Sequence, residues 1–260
     1  MIHIWLDLPV TLIFLALALL YGLGAAVIYW LMFGSPLRRR MHSLTGIVGP
    51  YFGAIGVLFA LLTGFLGAEV AERNRQAARS VLAEASALDT LAALSRAAGP
   101  QGAAIRAAAR GYTEAVLKQE WEAMSASGNS PAAAQALSAV FASVSPPDIA
   151  RQAGAPLQTS LLNAAVRVAS ARAERLSFAA DRSYELKWIS VLALGILTQI
   201  ALGLVHLDKP RAMLATVLLF SLAAVVALGL IAEQENPFEP PLEVSNAPLV
   251  KVLATLPEEP

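Results

Sequence analysis

Cysteine is absent from the chain. That excludes disulfides, thiol catalysis and thiolate metal sites without identifying a compartment. Charge is scarce: Asp, Glu, Lys and Arg make up 15% of the residues, against about 25% in an ordinary soluble domain. It is missing altogether from four long runs, so the spans carry no proton relay of the kind that marks proton-coupled transporters. Histidine occurs three times, as His3, His42 and His206, none with a partner at ligand spacing. No HExxH, GxSxG or phosphate-cradling glycine loop is present. These absences predict no enzyme, no metal site and no cofactor. Basic and acidic residues balance at 19 each, which leaves no electrostatic footprint for nucleic acid.

What is abundant is hydrocarbon. Hydrophobic residues are 57% of the chain and the mean hydropathy is +0.59. A spanning helix needs about 20 mostly apolar residues, and four runs qualify, over about 8–33, 46–68, 188–207 and 212–232. The sequence therefore predicts an all-α, four-span membrane protein. Residues 1–68 form one transmembrane hairpin and 188–232 a second. Between them lies a helical insert over 69–187, continuous with spans 2 and 3, and after them a proline-rich tail over 233–260. "GSPLRRRMHS" and "HLDKPR" are the hairpin turns. Trp30 and Trp188 fall near span ends, where amphipathic rings settle.

The stretch "ALLTGFLGAEVAERNRQAARSVLAEASALDTL" (60–91) begins as pure hydrocarbon and ends as an alanine-rich charged helix with no Pro. A helix satisfies its own backbone in lipid and in water, so it can leave the bilayer without a break. Val70, Ala77, Val81, Ala85, Leu88 and Ala92 recur at three- and four-residue steps as one apolar stripe, with Arg73, Arg79 and Glu84 off it. Later helices follow "AAGPQG" (97–102), "SASGNSP" (125–131), with Ser130 as N-cap and Pro131 at the first helical position, and "SPPD" (145–148). The last stripe runs through Leu161, Ala165, Val168, Arg172, Leu176 and Ala179, then on through "DRSYELKW" into the third span. The tail is expected to lie along the surface.

Functional candidates are few. On span 2, Phe52, Gly56, Phe59 and Thr63 recur at helical spacing; they form a candidate pore face whose phenylalanines could close a hydrophobic neck by dewetting. Gly49, Gly53, Gly56, Gly64 and Gly67 suit close helix packing. Glu69, Glu72 and Arg73 cluster just past span 2, as a solvated helix exit or a charged pore mouth. Thr198 and Gln199 sit mid-span, and an unpaired amide in hydrocarbon is costly, so Gln199 is expected to bond to another helix. Orientation stays open. The tight loops carry Arg38, Arg39, Arg40, Lys209 and Arg211; the insert carries Arg73, Arg75, Arg79, Arg172, Arg175, Arg182 and Lys187, and loop length and raw count point opposite ways.

Three passages together resemble the bestrophin-like family of bacterial membrane proteins. They are "LLTGFLGAEVAERNRQAARSVLAEASAL" (61–88), "ARAERLSFAADRSYELKWISVLALGIL" (171–197) and "NPFEPPLEVSNAPL" (236–249). Phe65 and Arg73 are the matched positions in the first, and the Pro-Phe of the third is followed in the family by a strand-like segment and a helix. Asn74 and Arg75 stand where bestrophins carry tryptophans. No acidic cluster follows Phe238, so the calcium site of animal bestrophins has no counterpart. The resemblance implies a homo-oligomeric passive ion channel, pentameric, in the inner (plasma) membrane, with span 2 around the pore and the insert inside. The ion is left unspecified. The alternative from the residues alone is a sensory or scaffold membrane protein whose insert binds a partner.

Overall fold

The computed structural model describes residues 8–36, 40–41, 43, 49–125, 128–181 and 185–256. His3, Arg38, Arg39, His42 and Arg182 lie outside them. Every regular element among the described residues is helical. With no charge or proline to stop it, α1 runs Val10–Tyr29 and widens into a π turn at Trp30–Gly34. The second helix, α2, is a single rod over Gly49–Ser95. The chain then turns through Gly99, at φ +60°, a conformation glycine adopts without strain. Next come α3 (Gln101–Ala115), a π turn at Val116–Glu120, α4 (Trp121–Ser125), α5 (Pro131–Val144), α6 (Pro147–Ala153) and α7 (Ala155–Ala180). The last three are α8 (Glu185–Val205), α9 (Pro210–Glu233) and α10 (Ala247–Thr255). Four helices, α1, α2, α8 and α9, hold stretches long and apolar enough to cross a membrane.

Two compact units result: Met1–Ala71 with Ser183–Glu235, and Glu72–Arg182 with Asn236–Pro260. The boundary falls inside α2, which does not break there. On the return path the expectation of a continuous helix fails. Asp181 ends α7 in extended backbone, at φ −83° and ψ 131°. Asp competes for backbone hydrogen bonds and favours helix ends, so it stops a helix that has no Pro or Gly nearby.

In the first unit, Ile13, Leu17, Tyr21, Ala25, Ile28 and Met32 form the buried stripe of α1. Glycines on the facing helices make room for it. A Cβ on Gly195 would collide with the Tyr21 hydroxyl, one on Gly229 with the Phe14 ring, and one on Gly203 would lie 2.7 Å from Met32 Cε and 2.8 Å from Ile28 Cγ2. Small residues let spanning helices approach closely. That role was expected on α2 at Gly49, Gly53, Gly56, Gly64 and Gly67; among the last four, Gly53, Gly56 and Gly64 face open space and Gly67 meets Ile231 at 3.3 Å. Trp188 is not a surface belt residue; it is fully buried, in a cluster with Val191.

The second unit is a helical bundle around Val81, Leu88, Leu91, Ile105, Tyr112, Val116, Leu161 and Val168. Ser130 Oγ accepts from the Ala133 N–H, with Pro131 opening α5. The tail corrects another expectation: it completes this core. Phe238, Leu249, Val252 and Leu256 are buried in it. The Phe238 ring meets Trp121 edge-on at 5.5 Å, Asn236 Nδ2 donates to the Ser125 carbonyl at 2.8 Å, and Arg110 donates to the carbonyls of Leu253 and Leu256. Arginine there satisfies the orphan carbonyls at the end of α10. The segment between Phe238 and α10 is turn and coil, not strand-like.

Candidate functional site

The four residues expected to face a pore are all half-buried within their own chain. Phe59 stacks edge-on against Phe220 of α9, with centroids 5.4 Å apart. Phe52 packs with the cluster of Ala25, Ile28, Met32 and Met213. Thr63 Oγ1 is buried with no hydrogen-bond partner, and Gly56 lies on the same side. This is the face that holds α2 to its neighbours. The opposite face is open, and bulky: Val57 is 58% exposed, Leu61 51% and Phe65 68%. They are spaced by four residues, about one turn apart. The exposed stripe continues at Ala68, Arg75, Arg79, Leu82 and Ser86.

Glu69, Glu72 and Arg73 lie just past span 2, and each has a partner of its own. Glu69 takes Lys187, with Nζ 2.6 Å from both carboxylate oxygens. Arg73 is buried and donates to the Asp181 carbonyl at 3.2 Å, at the point where α7 ends. Glu72 accepts from Arg79 at 2.6 Å, Arg75 at 2.9 Å and Gln76 at 3.1 Å. The hydrogen bonds from Arg75 and Arg79 hold its carboxyl below the ordinary range.

Mid-span, Gln199 ties three helices together. Its Nε2 donates to the Tyr21 carbonyl at 2.9 Å and to Ser221 Oγ at 2.7 Å. Its Oε1 has no conventional partner, and lies 2.6 Å from where a Cβ on Gly24 would stand, so it rests against a glycine Cα–H, a weak donor. Thr198 bonds only to its own helix, at the Leu194 carbonyl, 2.7 Å away. Among the described residues no group of His, Cys, Asp or Glu could hold a metal.

Sequence reasoning missed the most polar feature of the second unit. Glu84, placed off the apolar stripe, is fully buried, as are Arg175 and Glu120. Arg175 donates from Nε to Glu84 at 2.6 Å and from Nη2 to Glu120 at 2.8 Å. Arg172 grips Glu120 from the side with both Nε and Nη2. The Tyr112 hydroxyl donates to Glu84 at 2.5 Å, and the Arg175 guanidinium lies over the Trp121 ring at 5.9 Å. Burial pushes the Glu120 carboxyl up, but Arg172 and Arg175 outweigh it and hold the group below its ordinary value. Burial, then the Glu84 charge, pushes Tyr112 up. Burial works against the Arg175 charge, and Glu84 more than restores it. The π turn at Val116–Glu120 inserts one residue into the helix, which brings Val116, Glu120 and Trp121 all inward. No period of 3.6 signals that.

These features define an all-α membrane protein with a helical unit inserted between its second and third apolar helices. The chain belongs to the bestrophin-like family: the sequence model of the Bestrophin-like domain matches residues 19–249. Its fold is similar to crystal structures of a bacterial bestrophin homolog from Klebsiella pneumoniae carrying single mutations. One has a TM-score of 0.72 at 15% identity, covering 94% of this chain and 95% of that one; another has 0.70 at 14%, covering 94% and 98%. A further structure, described as a membrane protein, has 0.69 at 15%, covering 95% and 97%. At these identities the likeness is one of fold. No curated protein matches the chain.

Proposed function

We propose that the chain is a passive ion channel of the bacterial inner membrane, assembled from several copies, with the open face of α2 around the pore. The observation that carries this reading is the stripe of Val57, Leu61 and Phe65, which is bulky, apolar and unpartnered within the chain. A pore lined by this face of α2 needs several copies arranged around a shared axis. Closed cyclic assemblies, five-fold in the reading the family supports, place the same helix of each subunit at that axis. Three rings of apolar side chains about one turn apart would form a narrow neck that gates by dewetting. Phe52 and Phe59 then serve to seat α2 against its own bundle rather than to line the neck.

The test is ion flux through purified oligomer in liposomes. Leu61→Ala and Phe65→Ala should widen the neck and raise flux severalfold, with Phe59→Ala raising it less. A well-folded oligomer that carries no flux in any of these forms would sink the reading and favour the sensory or scaffold alternative.

A further inference from the structure

We infer that the helical unit holds a binding site for a small hydroxycarboxylate, in a cavity between α2 and α7. The cavity has a volume of about 290 Å³ and is lined by Thr90, Leu94, Ser160, Asn163, Ala164 and Arg167, all of them within that unit. Thr90 and Leu94 lie one turn apart on α2. Ser160, Asn163, Ala164 and Arg167 recur at three- and four-residue steps, so they share one side of α7. Ala164 is buried and Leu94 half-buried, whereas Thr90, Ser160, Asn163 and Arg167 are exposed. An apolar floor under a few polar groups is the usual build of a small-molecule site, and the volume falls at the low end of their range of about 300–1,000 Å³. The guest is therefore small.

The polar groups define its chemistry. Arg167 has no hydrogen bond or ion pair among the described residues, while Arg172 and Arg175, farther along α7, are both taken by carboxylates. A free guanidinium fork matches a carboxylate with two parallel hydrogen bonds. Thr90 and Ser160 give their hydroxyl hydrogens to their own helices, at the Ser86 and Pro156 carbonyls, 2.8 and 2.9 Å away. Their oxygens remain as acceptors and suit a donor on the guest. The Asn163 amide, also without a partner among the described residues, can accept and donate. A hydroxyl beside the carboxylate supplies the donor. An ammonium would supply one too, but no acid lines the cavity to balance its charge, so a net anion fits better than an amino acid. Leu94 and Ala164 accept a methyl or a short alkyl chain, which inorganic phosphate does not have. The site needs neither a pore nor an ion path, and it stands or falls apart from the channel reading.

Saturation-transfer NMR on the methyl protons of sodium lactate, with the purified full-length protein in detergent, reads binding directly. Lactate should bind saturably with a Kd of about 1 mM, weak because the ligand has few atoms and the site is open to water. Arg167→Gln should weaken binding by about tenfold or more, and Arg167→Lys, which keeps the charge but not the fork, by less. Arg167 is exposed and unpaired, so Arg167→Gln should unfold at the wild-type temperature. Ser160→Phe fills the cavity from its exposed rim with Arg167 in place, and should abolish the signal. Propionate, which is lactate without its hydroxyl, should bind several-fold more weakly, and alanine and inorganic phosphate should displace lactate only at much higher concentration. No saturable binding to folded wild type, or binding that Arg167→Gln and Ser160→Phe both leave unchanged, overturns the site. Alanine or phosphate competing as well as lactate itself overturns the assignment of a hydroxycarboxylate.

Discussion

The two units of this chain solve the problem of buried polarity in opposite ways. Among the described residues of the membrane-type unit, Gln199, Thr198 and Ser221 are the buried mid-span polar side chains, with Ser35 and Glu235 buried nearer the helix ends, and the mid-span hydrogen bonds go to backbone carbonyls and to one another. The helical unit buries Glu84, Glu120 and Arg175, with Tyr112 bonded to them, at its centre. The first relies on shape, with glycines opposite large side chains. The second relies on a charge network with directional bonds. A hydrocarbon surround offers apolar residues no drive to leave it, so packing geometry must specify the bundle. In the helical unit, many core positions are alanines, set among larger side chains such as Leu88, Leu91, Ile105 and Tyr112. The ionic centre supplies directions that alanines cannot, because each guanidinium edge has one acceptable partner.

That contrast can be broken most forcefully at its charged end. Arg175→Met leaves Glu84 and half of Glu120 buried without their cation. Breaking a buried pair costs about 3–5 kcal/mol, and thermal unfolding of the detergent-solubilised protein should show it as a large loss of Tm. The triple change Glu84→Leu, Glu120→Leu and Arg175→Met should recover most of that loss, since an apolar replacement of the whole set is often neutral or better. Failure to recover would mean that the network specifies the fold rather than merely satisfying itself.

Next in size comes shape. Gly195→Ala places a methyl against the Tyr21 hydroxyl, and overpacking of this kind costs about 1–3 kcal/mol. Adding Tyr21→Phe should relieve part of it, as read by unfolding in mixed detergent.

Gln199→Leu removes the bonds to Tyr21 and Ser221. Interhelical hydrogen bonds in membranes average about 0.6 kcal/mol, so the same assay should record a loss several times smaller than for Arg175→Met. A loss as large as that one would erase the distinction between the two units.

The smallest effect is pH dependence, and it belongs to the helical unit alone. The Glu120 carboxyl is held below its ordinary value of 4.5. Its contribution to stability is therefore fully present above that pH and is lost as pH falls through the lowered value of the folded state. Tm measured from pH 7 down to pH 3 should decline at the acid end, and Glu120→Gln should flatten that part of the curve while lowering the plateau.

The spans were legible because about 20 uncharged residues need no knowledge of their neighbours to be recognised. Which side of α2 faces inward was not legible. Phe59 and Phe65 look alike in hydropathy, and the choice between them is made by Phe220, more than 150 residues later. The stripe of α7 was read with Arg172 on it, and the structure puts Arg175 at its centre, because an acid delivered by a π turn on another helix waits there. Glu84 was set aside as a polar residue of the outer face. Burial of a charge is decided by partners 91 positions away, and a single helix's period cannot report it.

The docking of residues beyond Asn236 into the helical unit has a consequence for the order of events at the ribosome. Leu249 leaves the exit tunnel 69 residues after Ala180, the last residue of α7. At about 5–20 residues per second, that is a delay of several seconds to more than ten. During that interval α8 and α9 are translated and available for insertion. The alanine-rich bundle meanwhile stands with the slot for Phe238 and Leu249 unfilled. Membrane integration of the second hairpin thus precedes completion of the helical core, and a chain halted after α9 would carry all four apolar helices beside a domain that cannot close.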